Sequence, residues 1–417
     1  MVLANFIAEL ILRPFMIESQ GHSPSANLYG RDQRNTMQKV LVFKETLLPL
    51  SETFIKGQVA ALPSFSGVLA GLERAHPSLP LGARPILLSE SDSSLASLRA
   101  KVYRWTGIAP AFHNKAREFG PDLIHAHFAS GGRTALPLAR ALKVPLLVTL
   151  HGSDITVGEQ RGRHKALGEG ASMFVCVSDF IRDRALDAGL PAEKLRVHYI
   201  GVDLDVFKAT PGVQRGGHVL FVGRLVEKKG CEYVIRAMKE VQKTYPDCEL
   251  RIVGDGPLRA SLEQLARELA INCRFDGFQP ADVVRAEMER ARIFCVPSVV
   301  AANGDSEGLG TVFVEAQAMG LPVVTSTHAG MGEAVIHGVT GLLSPERDWK
   351  GLAGSILRLL PDDDLWQSYH EAALALVVER FDLKRQTGIL EDLYKEVLGA
   401  ERNHPVGLHQ VSTSAAK

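Results

Sequence analysis

From Val40 onward, short runs of apolar and β-branched residues alternate with stretches in which apolar positions return every three or four residues. The runs predict strands at 39–43, 67–70, 122–126, 145–150, 173–177 and 195–199, then a second series at 218–222, 249–253, 273–276, 293–297, 322–326 and 341–343. The periodic stretches between them, among them Gly132–Leu142, Val234–Tyr245, Leu258–Ala270 and Thr311–Met319, predict helices. Strict strand–helix alternation implies right-handed βαβ crossovers and so mainly parallel sheets. Twelve strands exceed one compact core, and the turn formers Lys208–Gly217 separate two complete series. The expected fold class is α/β, with two doubly wound, Rossmann-like domains facing across a cleft, in preference to a closed eight-stranded barrel.

The expected boundaries are an N-terminal extension at 1–37, a first domain at 38–205, a linker at 206–217 and a second domain at 218–385. A helix at 386–402 is expected to cross back onto the first domain, ahead of a tail at 403–417. The extension reads as an appendage, an amphipathic surface anchor or an over-long start. Its apolar segment Phe6–Ile17 is interrupted by Glu9 and Arg13, and no A-x-A-like cleavage site follows. No apolar run approaches the roughly 18–20 residues of a spanning helix.

The 417 residues hold 47 Lys+Arg against 47 Asp+Glu and are 46% hydrophobic, a composition of packed cores with no global field to gather polyanions. Nucleic acid is therefore disfavoured as a partner, and any anion must be held locally. The five cysteines are odd in number, widely spaced and lack C-x-x-C pairing, and Cys176 and Cys295 sit inside apolar runs. Neither a disulfide framework nor a zinc site is expected, in keeping with a reducing, cytoplasmic compartment.

In an open parallel sheet, ligands bind beyond the carboxyl ends of strands, where helix N-termini present unpaired N–H groups. Strand 218–222 exits into Gly223-Arg224 and then Lys229-Gly230, which offer close backbone approach, a guanidinium fork and a point charge for a pyrophosphate. Strand 249–253 exits into Gly254-Asp255-Gly256-Pro257, a G-x-G without the third glycine of a dinucleotide fingerprint. After Pro297-Ser298 a polar loop ends in Glu307-Gly308-Leu309-Gly310-Thr311, and a helix begins near Gly310–Thr311 with Glu315 about one turn inside it. Eight helical residues span ~12 Å, so two carboxylates could grip hydroxyls at both ends of a nucleotide sugar while the helix N-terminus faces its phosphates. Taken singly, each of these acids also fits a helix-start or solvent-face role.

In the first half, strand 145–150 exits into His151-Gly152, where a ligand of the opposite domain would arrive. His125 and His127, on strand 122–126 and its exit, are expected on alternate faces, so that they do not serve one site. Asp203-Leu204-Asp205 has D-x-D spacing but lies away from the phosphate grips and is not expected to hold a metal.

In combination these residues resemble the family-4 retaining glycosyltransferases of GT-B fold over nearly all of 38–385. The match rests on Gly223-Arg224 with Lys229-Gly230, Val253-Gly254-Asp255-Gly256-Pro257, the E-x₇-E pair Glu307 and Glu315, and His151-Gly152, with Val177-Ser178 and Gly201-Val202-Asp203 in support. The segment Leu48-Pro49-Leu50-Ser51-Glu52-Thr53-Phe54 and the loop from Pro297-Ser298 through Glu307-Gly308 resemble the exopolysaccharide branch, the colanic-acid and amylovoran type transferases.

The resemblance implies a nucleotide-sugar donor, a UDP- or GDP-sugar, on the second domain and an acceptor on the first. Arg224 and Lys229 would neutralise the diphosphate, Glu315 would bind the ribose and Glu307 the donor sugar. Gly223, Gly254, Gly256, Gly308, Leu309, Gly310 and Thr311 would line the donor site, and His151 would stand beside the reaction centre. Where many relatives carry a glycine pair after the first strand, this chain has Ser51-Glu52-Thr53, which makes Ser51, Glu52 and, further on, His127 acceptor-side candidates. Further implications are transfer with retention, no cofactor or metal, and a lipid-linked oligosaccharide acceptor at the inner membrane face, with peripheral membrane contact. A hydrolysing epimerase or phosphorylase on the same frame is the alternative, and a non-catalytic nucleotide-sugar sensor is a third reading. A nicotinamide dehydrogenase is disfavoured by the missing G-x-G-x-x-G.

Overall fold

Val40-Leu41-Val42-Phe43 and Leu146-Leu147-Val148-Thr149-Leu150 are buried along their whole length. That is why they read as continuous apolar runs: strands of a parallel sheet are covered on both faces. The computed structural model describes residues 37–47, 53–75, 84–90, 94–158, 162, 164–210, 213 and 215–403. The apolar segment Phe6–Ile17, Ser51, Glu52 and residues 404–417 lie outside the described residues.

The strands are β1 (Gln38–Phe43), β2 (Thr46–Leu47), β3 (Phe65–Gly71), β4 (Glu73–Arg74), β5 (Ile86–Leu87), β6 (Leu123–His127), β7 (Leu146–Leu150), β8 (Met173–Cys176) and β9 (Leu195–Val197) in the first half. The second half holds β10 (Val219–Val222), β11 (Leu250–Val253), β12 (Cys273–Gly277), β13 (Ile293–Cys295), β14 (Val323–Ser326) and β15 (Gly341–Ser344). A seven-stranded sheet runs β5-β3-β1-β6-β7-β8-β9 and a six-stranded sheet runs β12-β11-β10-β13-β14-β15. All pairings within both are parallel. The open sheets exclude the barrel. Each of the twelve runs becomes a strand, with shifted ends: the run 293–297 stops at Cys295, and 67–70 extends to Phe65–Gly71.

In each sheet the strand order reverses once, between β1 and β6 and between β10 and β13. Those two crevices are where the topology leaves room for a ligand. The chain returns to the first half at its end. Val202 N–H donates to Phe381 O at 2.8 Å and Leu383 N–H donates to Val202 O at 3.0 Å, and the helix Leu383–Asn403 begins there. Leu390, Tyr394 and Val397 from that helix complete a core with Val40, Val42, Phe65, Leu147 and Val175, on one face of the first sheet.

Candidate functional site

Three consecutive residues of the turn after β10, Glu227–Lys229, strap down the long loop after β13. The Glu227 carboxylate accepts Ala302 N–H at 3.1 Å, Lys228 O accepts Val299 N–H at 2.8 Å and Lys228 Nζ meets Asp305 Oδ1 at 3.0 Å. Lys229 Nζ lies 2.9 Å from Glu307 Oε1. Gly230 ends the turn in the left-handed region, at φ 63°, and a β-carbon there would also strike the Pro297 carbonyl, so the position requires glycine twice over. The Lys229 stem lies over Gly223, whose β-carbon would fall 3.5 Å from Lys229 Cδ.

Burial pushes the Glu307 carboxyl up, but Lys229, Lys228 and Arg224 together outweigh it, and the net direction is down. Glu307 is therefore a buried anion held by cations. Gly310 caps the helix Thr311–Ala318 in the left-handed conformation, which leaves the first N–H groups of that helix facing the loop. Glu315, half-buried inside its first turns, is pushed by burial up to about 7, against the pull of Lys229.

On the first half, the Asp154 carboxylate gathers the β7 exit. It accepts the N–H groups of His151 at 3.1 Å, Gly152 at 2.8 Å and Ala129 at 2.9 Å. His151 Nε2 lies 3.0 Å from His127 Nδ1. Burial lowers both imidazoles, His151 to about 3 with further contributions from His125 and Lys44, so the pair is neutral and shares one proton between those nitrogens. Phe128, at φ 66°, sets its ring 4.4 Å from the His151 ring, and Lys44 Nζ lies 4.5 Å over the Phe128 ring.

The expectation that His125 and His127 alternate faces is corrected. Residues two apart share a face of a pleated strand, and these rings lie 4.4 Å apart, tilted by 33°. His125 is nonetheless turned to structure: Nδ1 meets Tyr394 Oη at 2.7 Å and Nε2 meets Thr149 Oγ1 at 2.6 Å.

The halves meet backbone to backbone. Gly308 lies so close to the His151 carbonyl that any β-carbon would collide with it, and Ser178 Oγ donates to Gly308 O at 2.7 Å. Glu307, Gly308, Lys229 and His151 thus converge from both sheets on the facing crevices, with exposed Arg224 alongside. Gly254 and Gly256 are placed differently, since their β-carbons would meet the carbonyls of Gly223 and Leu225. They let the β10 and β11 exits pack and shape the site's floor. Asp203 and Asp205 stand elsewhere, where Asp205 pairs with Lys384 at 2.8 Å, and no group of three or more metal-ligating side chains occurs among the described residues.

His328, Glu346 and Glu333, at the crevice, carried no sequence signal. His328 Nδ1 lies 2.8 Å from Glu346 Oε1, which fixes its tautomer, while buried Nε2 has no hydrogen-bond partner among the described residues. Its ring faces Phe180 of the first half at 6.4 Å. Ser298, at the start of the loop read from the sequence, has its Oγ buried with no hydrogen-bond partner among the described residues. Glu333 accepts Asp179 N–H at 2.8 Å, Phe180 N–H at 3.1 Å and the Tyr199 hydroxyl at 3.2 Å, so a second-half acid holds the start of a first-half helix.

Two facing parallel sheets with convergent charge at their switch points define a GT-B protein, and the comparisons with known proteins say which. Residues 208–375 match the family model of group 1 glycosyl transferases, and residues 77–206 match that of glycosyltransferase family 4. The amylovoran biosynthesis glycosyltransferase AmsK of Erwinia amylovora is 33% identical over 254 residues, 58% of this chain and 62% of that protein. WcaL of Salmonella typhimurium, provisionally named a colanic acid biosynthesis glycosyltransferase, is 31% identical over 282 residues, 64% of this chain and 68% of that protein. The aligned region is therefore about three fifths to two thirds of these relatives' own length. The crystal structure of Anabaena Alr3699/HepE in complex with UDP and glucose shares the fold, with a TM-score of 0.70 at 22% identity over 86% of this chain and all of that one. The chain belongs to glycosyltransferase family 4.

Proposed function

We propose that the protein is a retaining glycosyltransferase that moves a sugar from a nucleoside-diphosphate sugar to a lipid-linked oligosaccharide in exopolysaccharide assembly. The observation that carries this reading is half-buried Lys229 paired with buried Glu307 beyond the strand exits of the second sheet, next to the close approach of Gly308 to the His151 carbonyl of the first half. The amylovoran and colanic-acid names of the relatives support the polymer class.

In the reaction, the bond from sugar C1 to the diphosphate oxygen breaks. The bond from C1 to the acceptor oxygen forms on the same face, and the acceptor proton goes to the departing diphosphate. Arg224, Lys229 and the N-terminus of the helix Thr311–Ala318 offset the charge that grows on the leaving group. Glu307 orients the sugar hydroxyls and Glu315 the ribose, while neutral His151 presents hydrogen-bonding groups beside C1 without adding positive charge. The same mechanism needs no covalent sugar–enzyme adduct.

UDP-glucose, UDP-galactose and GDP-mannose are to be screened for protection against thermal unfolding, then for nucleotide release with and without a polyprenyl-diphosphate oligosaccharide. One donor is expected to stabilise, with release dependent on acceptor and product of retained configuration. Lys229→Ala is expected to lower turnover by about 10²-fold. Nucleotide release at equal rate without acceptor would instead mark a hydrolase, and a trapped glycosyl adduct would overturn the same-face displacement.

A further inference from the structure

The helix Ser94–Thr106 has two apolar stripes. The inner one, Ala96, Ala100 and Tyr103, is buried, with the Tyr103 ring 5.6 Å from Phe112. The outer one is Leu95, Leu98 and Trp105, exposed at 46%, 43% and 85%, joined by half-buried Val102 and, just past the helix end, by Ile108 at 55%. At about 100° per residue, positions 95, 98, 102 and 105 fall within a sector of roughly 80°. Exposed Arg99 and Lys101 flank that sector on its two sides. Arg104 turns away from it to Glu45, at 3.5 Å, and Glu73, at 3.7 Å.

Single exposed apolar residues need no explanation, but an aligned stripe around a tryptophan does. Charge decides what covers it. Residues 94–119 carry five cations, Arg99, Lys101, Arg104, Lys115 and Arg117, and one acid, Glu118, in a chain whose charges balance at 47 each. The acids that meet these cations from outside the segment are Glu45 and Glu73, both on Arg104, and Glu90, 4.0 Å from Lys115, which leaves Arg99 and Lys101 beside the stripe. An apolar band with tryptophan, bordered by Lys and Arg, suits the interface of an anionic bilayer. We propose that the outer face of the helix Ser94–Thr106 docks on an anionic lipid surface.

Arg104 links this helix to Glu45, and the adjacent Lys44 lies on Phe128 beside His151. Docking would therefore hold the first half's strand exits close to the lipid, where a lipid-linked acceptor is presented. That consequence rests on the proposed function; the docking does not.

The full chain is to be floated with vesicles of phosphatidylcholine alone and with phosphatidylglycerol added, in the absence of any sugar donor. Co-flotation is expected only with phosphatidylglycerol, with a blue shift of tryptophan emission that brominated lipid quenches. The double variant Leu98→Ser/Trp105→Ser is expected to lose at least about tenfold in vesicle affinity, and Arg99→Gln/Lys101→Gln roughly 20-fold. Unchanged melting temperatures would show both variants folded. Binding undiminished in both variants, equal binding to neutral vesicles, or no vesicle binding would overturn the proposal. Self-association abolished by the same variants would assign the face to protein instead. Transferase activity on a soluble acceptor is expected to survive both variants, so a chain inactive toward every donor would sink the proposed function and leave the docking result standing.

Discussion

The ionisation of Glu315 reaches neutral pH, because burial raises its carboxyl from 4.5 to about 7 while Lys229 opposes the shift. An acid whose folded pKa exceeds its unfolded value favours the fold in its neutral form. Its contribution is full below the unfolded value and is lost as pH rises to about 7. Glu315→Gln stays neutral throughout. The variant is expected to melt with wild type at about pH 4 and a few degrees above it at about pH 8, measured by calorimetry without ligand. A constant difference across that range would show that Glu315 does not titrate there. Arg224, Lys229, Glu307 and Glu315 were legible in the sequence because each sits at a strand exit or helix start, and their chemistry is local. His328 and Glu346 were not, since the pair joins the exits of β14 and β15 and neither residue has a local pattern that marks it. Nor was the approach of the His125 ring to that of His127, which follows from the pleat, where residues two apart share a face.

At the scale of elements, the seam between the sheets is built on backbone. Ser178 caps the helix Asp179–Asp187 through Ile181 N–H at 3.1 Å and donates its hydroxyl to Gly308 O, while Glu333 takes the next two N–H groups. A carboxylate at a helix N-terminus suits both the orphan donors and the dipole. Glu333→Ala removes the acceptor and the charge together, and Glu333→Gln keeps an acceptor. The first is expected to speed hydrogen exchange at the Asp179 and Phe180 amides by about fivefold or more and the second by less. Unchanged exchange in Glu333→Ala would mean that the seam is held elsewhere. The strands themselves were legible because buried parallel strands read as apolar runs, yet the loops that bring Glu333 to Asp179 leave no trace in either local sequence. The pair β2 and β4, two residues each, is too short to show a period at all.

For the molecule as a whole, the helix Leu383–Asn403 follows the second half in sequence and belongs to the first in space. The Glu391 carboxylate accepts Phe65 N–H at 2.9 Å, Arg196 pairs with Glu396 at 2.6 Å, and Tyr394 joins His125. Leu390, Tyr394 and Val397 each bury enough surface to contribute about 1.5–3 kcal/mol. Removing residues from Leu383 onward would bare the face made by Val40, Val42, Phe65, Leu147 and Val175. The truncated chain is expected to lose hydrogen-exchange protection in β1 and β6 while β10 and β13 keep theirs, because the second sheet owes this helix little. Tyr394→Phe is the milder version. Its ring still packs on Phe65, 5.2 Å away, but His125 Nδ1 is left buried without its partner, at a cost of about 1–3 kcal/mol confined to the first half. Equal loss of protection in both sheets would show instead that the returning helix couples the halves into one cooperative unit.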